Sequence, residues 1–117
     1  MTSYPVHVVF PRRLVFVGFG SIGQGVLPLI LRHVGIQPDQ VTIVTADEAG
    51  EKIAQEYGVR FVKHALTRQN FKNVLDPIVG RGDFLLNLSV DVSSIALIKF
   101  CWEKGSLYLD TCIEPWP

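Results

Sequence analysis

The chain has 117 residues, 48% of them apolar and 19% charged, and its eleven basic and eleven acidic side chains cancel. That length gives one domain able to bury roughly two thirds of its unfolded surface, and the balanced charge leaves no electrostatic footprint for nucleic acid or an anionic membrane. No apolar run is long enough to span a bilayer, no basic leader opens the chain, and Cys101 and Cys112 lack metal-ligand spacing, so free thiols in a reducing, cytoplasmic setting are expected.

Taken in chain order, residues 6–10 lie between Pro5 and Pro11 and read as an extra edge strand or a segment lying across a sheet. Leu14–Val17 is a short apolar strand that runs straight into Gly18-Phe19-Gly20-Ser21-Ile22-Gly23. Ser21–His33 then places Ile22, Val26, Leu29 and Ile30 at three- and four-residue spacings, the pattern of a helix. Pro28 falls inside it, at a cost of about 3 kcal/mol in a regular helix interior, so a kink or irregularity is expected there. Val41–Thr45 is the second strand; residues 47–57 begin acidic and stop at Gly58, as a helix does. A third strand over 60–62 precedes a helix over 67–79, with Thr67 as N-cap and Phe71, Val74, Leu75 and Ile78 on one face. A fourth strand over 84–88, a helix over 91–103 ending before Gly105, and a fifth strand over 107–109 complete the pattern.

Strand and helix alternate five times, which implies parallel pairing with right-handed crossovers. The expected architecture is α/β: a Rossmann-type doubly wound parallel sheet of about five strands, order 3-2-1-4-5, in three layers. The mean hydropathy of +0.28 fits a sheet covered on both faces.

The glycine run carries the most specific chemistry. Between a buried strand and a helix, Gly18 permits a tight turn with positive φ. Gly20 lets backbone amides approach a pyrophosphate with no Cβ in the way, and Gly23 lets the helix lie close on the sheet. The helix start at Ser21 and Ile22 offers unpaired N–H groups and partial positive charge to the diphosphate. Asp47, just past the second strand, can accept hydrogen bonds from ribose hydroxyls and repel a 2′-phosphate, which favours NAD over NADP. The competing readings are that Asp47 caps the following helix or that Glu48 takes the ribose.

Ligands meet an open α/β sheet at the carboxyl ends of its strands. The fourth strand ends in Asn87-Leu88-Ser89-Val90-Asp91 and the fifth in Asp110-Thr111-Cys112-Ile113-Glu114. Asn87 and Ser89 are candidates to hold the cofactor, and Asp91 either caps its own helix or faces the crevice. Carboxylates around one mouth suit a cationic substrate. His7, His33 and His64 form no recognisable triad or metal set, Cys112 has no histidine partner, and Trp102 reads as core or interface. Trp116 is placed at the active-site mouth or against a further domain. No metal site is expected.

Four separated motifs in register resemble bacterial homospermidine synthases: residues 14–29, 42–47, 87–94 and 108–116. The wider kinship is with saccharopine dehydrogenase-like reductases. The resemblance implies NAD held as a prosthetic group, which takes a hydride from an amine-bearing carbon of putrescine or a related diamine and returns it after a second amine has replaced ammonia. It implies polyamine-facing roles for Asp91 and Glu114. The cofactor set becomes Gly18, Gly20, Ser21, Ile22, Gly23, Asp47, Asn87 and Ser89, with Asp110 and Thr111 shaping the end of the fifth strand beside it. Family members are several times longer, so the expectation is a single cofactor-binding domain over 1–117, without the catalytic half, inactive alone and with homo-oligomerisation left open. Two alternatives stand beside it. A nucleotide-sensing domain of the potassium-transport type has this length, but no chemical reason to carry residues 89–94 and 110–116. A saccharopine-type reductase would want basic residues for a carboxylate substrate where this chain offers acids.

Overall fold

The computed structural model describes residues 5–111 and Trp116. The elements, in chain order, are β1 (Val8–Val9), β2 (Leu14–Val17), α1 (Ser21–His33), β3 (Val34–Gly35), a 3-10 turn (Pro38–Gln40), β4 (Val41–Thr45), α2 (Glu51–Tyr57), β5 (Arg60–Lys63), α3 (Phe71–Leu75), β6 (Phe84–Asn87), α4 (Ser94–Lys104) and β7 (Leu107–Asp110). Five strands form one parallel sheet in the order β5-β4-β2-β6-β7. Counted along the chain within that sheet, this is the expected 3-2-1-4-5. The 6–10 segment contributes only β1, which pairs with β3 in a separate two-stranded ladder (Val8 with Val34, Val9 with Gly35).

All four residues of β2 are buried, because helices cover both of its faces. Alternate side chains point to opposite faces. Val15 and Val17 join Val44, Leu75, Leu85, Leu97 and Phe100 under α3 and α4. Leu14 and Phe16 join Leu27, Val41, Ile43 and Ala54 under α1 and α2. Each such fully buried aliphatic or aromatic side chain contributes roughly 1.5–3 kcal/mol through removal of apolar surface from water. Cys101, free and buried in α4, has its thiol pushed up by burial. Trp102, by contrast, stands 86% exposed, so it is not part of the core.

Three helices are shorter than the sequence pattern suggests, and local side-chain chemistry explains each. Asp47 Oδ1 accepts the Ala49 N–H at 3.0 Å, a turn that competes with helix, and α2 begins only after Gly50. Thr67 and Asn70 bond each other reciprocally (Thr67 N to Asn70 Oδ1 at 2.8 Å, Asn70 N to Thr67 Oγ1 at 3.2 Å), forming a turn ahead of α3. Asp76 keeps helical backbone (φ −54°, ψ −45°) and donates to Lys72 O, but Pro77 has no N–H to continue the ladder, and α3 stops at Leu75. In α4 the cap is Ser93, whose Oγ accepts the Ala96 N–H at 3.2 Å, so the helix starts there and not at residue 91. The α1 helix runs on through Pro28 as one continuous helix from Ser21 to His33.

At the amino ends of β2 and β6, the buried Asp83 carboxylate accepts from Arg13 N (2.8 Å), Arg13 Nε (2.8 Å) and Gly80 N (2.7 Å). This ties the two strands at the end remote from the glycine turn. Among the described residues, no helix is long and apolar enough to cross a membrane.

Candidate dinucleotide site

Register brings the strand ends level: Val17 lies opposite Val44 on one side and Asn87 on the other. The segments that follow these three residues therefore emerge together and enclose a cleft of about 380 Å³. Its floor is the glycine turn. One flank comes from residues 44–47 and 64–66, the other from residues 88–92.

The turn requires its glycines for distinct reasons. Gly18 has φ +87°, and a Cβ there would sit 2.8 Å from both Cα and N of Ser89, so the β6–α4 loop lies directly against it. Its N–H donates to Val44 O at 2.8 Å. Gly20, the N-cap of α1, would present a Cβ to open space. At Gly23 a Cβ would meet the Phe19 ring at 3.0 Å. That ring is buried, edge-on to Phe16 at 5.9 Å, and its other side fills the space where Gly50 has no side chain. Gln24 Nε2 donates to Phe19 O at 3.0 Å and braces the turn. The first turn of α1 has neither a capping side chain nor an acidic residue, while Arg32 and His33 occupy its last turn. Its amino end thus carries uncompensated N–H groups and partial positive charge, suited to an anion. Ser21 and Ile22 open this turn and are exposed.

Asp47 lies on the first flank, exposed, and is not the cap of α2, whose N-cap is Gly50. Glu48 is outside the lining and pairs with Lys63 at 3.2 Å. No arginine or lysine lines the cleft among the described residues. His64 does, set there by its N–H bond to Thr45 O at 2.8 Å, together with Ala65 and Leu66. Local sequence gave no sign of this wall; only the pairing of β5 with β4 brings it opposite the glycine turn.

On the second flank, Ser89 and Asp91 line the cleft, and Ser89 Oγ accepts the Asp91 N–H at 3.1 Å. Asn87 is 1% exposed and lies behind the lining. Its Oδ1 accepts the Ser89 N–H at 3.1 Å, and its Nδ2 donates to the Tyr108 hydroxyl at 3.1 Å. Tyr108 in turn donates to Asp110 Oδ2 at 2.8 Å. Burial holds the Tyr108 phenol well above the usual tyrosine range; the Asn87 amide draws it down and the Asp110 carboxylate pushes it further up. Asp110 ends β7 and Thr111 follows it, and neither is part of the cleft lining. Trp116 packs against Phe71, the rings tilted by 58° with centroids 5.4 Å apart, and donates its indole N–H to Asp91 O at 2.9 Å, which places it beside the second flank. Cys112 and Glu114 lie outside the described residues. No group of three His, Cys, Asp or Glu side chains able to hold a metal ion occurs among the described residues.

The family model for the saccharopine dehydrogenase NADP-binding domain matches residues 14–116, from the first residue of β2 to Trp116. The chain belongs to that family. It is a nicotinamide-dinucleotide-binding domain. Homospermidine synthase from Blastochloris viridis is 40% identical over 119 residues, covering 99% of this chain and 25% of the relative. Homospermidine synthase from Mesorhizobium japonicum is 39% identical over 117 residues, covering 97% of this chain and 24% of the relative. A solved homospermidine synthase from Legionella pneumophila in complex with NAD superposes with a TM-score of 0.88 at 42% identity, over 92% of this chain and 24% of that one. The chain thus spans about a quarter of the length of the relatives it matches.

Proposed function

We propose that this chain binds NAD in preference to NADP and forms the cofactor half of an amine-transferring enzyme of the homospermidine synthase kind. The observation that carries the reading is the first flank, where Asp47 meets the cleft and no arginine or lysine joins it among the described residues. A carboxylate there accepts ribose hydroxyls, and a 2′-phosphate would meet like charge with no cation to offset it.

The residues present fit the group. Gly20 leaves open the space a Cβ would fill, and the α1 start supplies N–H groups for the diphosphate. NAD, when bound, supplies a hydride acceptor that can return the hydride to the same substrate. The chain's own residues bind and orient: the turn over residues 18–20 holds the diphosphate, Asp47 the adenosine ribose, and the second flank the nicotinamide half. Asp91 offers negative charge to an ammonium group, which suits putrescine or a similar diamine, and Glu114 is assigned the same role. The isolated 117-residue chain, about a quarter of the length of the homospermidine synthases it matches, is expected to bind cofactor and to form no homospermidine from putrescine and NAD.

Calorimetric titration tests the cofactor reading. NAD binds more tightly than NADP, and Asp47→Ala weakens NAD by about tenfold, as expected for the loss of hydrogen bonds to a charged acceptor, while narrowing the gap to NADP. Unchanged NAD affinity in Asp47→Ala, with NADP no better bound, would refute the assignment.

A further inference from the structure

Asn87, Tyr108 and Asp110 lie side by side on β6 and β7, with Asn87 and Asp110 in register. The three form a hydrogen-bonded line that ends at Ser89 N, where the β6–α4 loop presses on Gly18. The direction of that line is fixed by chemistry at its outer end. An ionised carboxylate only accepts, so the single hydroxyl proton of Tyr108 goes to Asp110. The Tyr108 oxygen then faces Asn87 as an acceptor and selects the NH₂ side of the amide. That leaves Asn87 Oδ1 pointing at Ser89 N, the one orientation that holds the loop. With the amide buried, the opposite orientation would set NH₂ against N–H and leave both unpaired.

We infer that Tyr108 is a positioning residue: acting through Asn87, it fixes the Ser89 loop against the glycine turn and so shapes the nicotinamide half of the cleft. The inference rests on the cofactor reading above. It reassigns Asn87 and Asp110 from contacts with the cofactor to support for a loop that makes them. Backbone pairing contributes as well, since Leu88 N donates to Val17 O at 2.8 Å. That bond fixes the strand end but leaves the orientation of Ser89 to the Asn87 amide. The adenosine half, on the Asp47 flank, is built from β4 and β5, and among the described residues its hydrogen bonds do not reach this line.

The test is Tyr108→Phe in the 117-residue chain, titrated with NAD and with adenosine monophosphate, folding being checked by circular dichroism. Adenosine monophosphate fills only the Asp47 half. The expected result is NAD binding weakened about tenfold, from the loss of one buried hydrogen-bond partner, with adenosine monophosphate affinity unchanged. A purely structural role for Tyr108 would weaken both ligands alike, and that result, or no change in either, overturns the inference. Should wild-type chain bind neither nucleotide, the cofactor reading falls and the inference with it. Where Tyr108→Phe fails to fold, Asp110→Ala removes the carboxylate from the outer end and is read the same way: selective loss of NAD supports the line, and equal or no loss refutes it.

Discussion

At the amino end of the sheet Asp83 is buried and accepts three hydrogen bonds from Arg13 and Gly80, whereas at the carboxyl end Asp47 and Asp91 stand exposed on the rim of a cleft. The same side-chain chemistry serves opposite ends of the same strands. A carboxylate withdrawn from water is kept only where its donors are supplied by the fold. One left in water retains its capacity to accept from a ligand. The difference separates the end that holds β2 and β6 together from the end that binds.

The sharpest way to break this contrast is Asp83→Ala, which leaves the partly buried Arg13 and Gly80 backbone N–H groups without their acceptor. Urea unfolding is expected to show a loss of about 3 kcal/mol, with NAD affinity of the remaining folded protein unchanged. Next in size is a comparison of two glycines in the turn. Gly18→Ala forces a side chain into positive φ and against the Ser89 backbone, costing about 2 kcal/mol of stability, and weakens NAD as the loop is displaced. Gly20→Ala meets open space, so its stability stays within about 0.5 kcal/mol of the parent, and only ligand affinity falls. Equal stabilities for the two variants would contradict the assigned roles.

The smallest effect is an alkaline slope. Tyr108 has its folded-state pKa raised above the ordinary value of 10.0. Above that value the unfolded chain has lost a proton that the folded chain retains, so the contribution is present below pH 10 and declines as pH rises through the folded value. Urea midpoints followed from about pH 8 to about pH 11 should fall at the upper end, and Tyr108→Phe should flatten that fall.

The strand order and the glycine turn were legible because both are written in contiguous residues: an apolar run such as Leu14–Val17 and the spacing of Gly18, Gly20 and Gly23. Helix starts were less so. Asp47, Thr67 and Ser93 each carry a side chain able to bond nearby backbone, and composition does not reveal which one ends a turn and which begins a helix. The second flank was half readable. Asn87 stands out as a polar residue ending an apolar strand, but its burial behind Ser89 depends on Tyr108 and Asp110 across the β6–β7 register. His64 has no legible role for a similar reason, since nothing within its own segment shows that it lines the cleft.

The Phe19 ring, held between Gly23 and Gly50, links the glycine run to a position far along the chain. Any side chain added at 50 collides with the ring, and any added at 23 presses on its other edge. Variation at these positions is consequently not independent. A sequence that replaces Gly50 keeps the turn in place only if residue 19 shrinks to match, and one that shrinks residue 19 alone opens a void beneath the helix start. The middle letter of the glycine run, which a motif treats as arbitrary, is thereby fixed by a loop about thirty residues away.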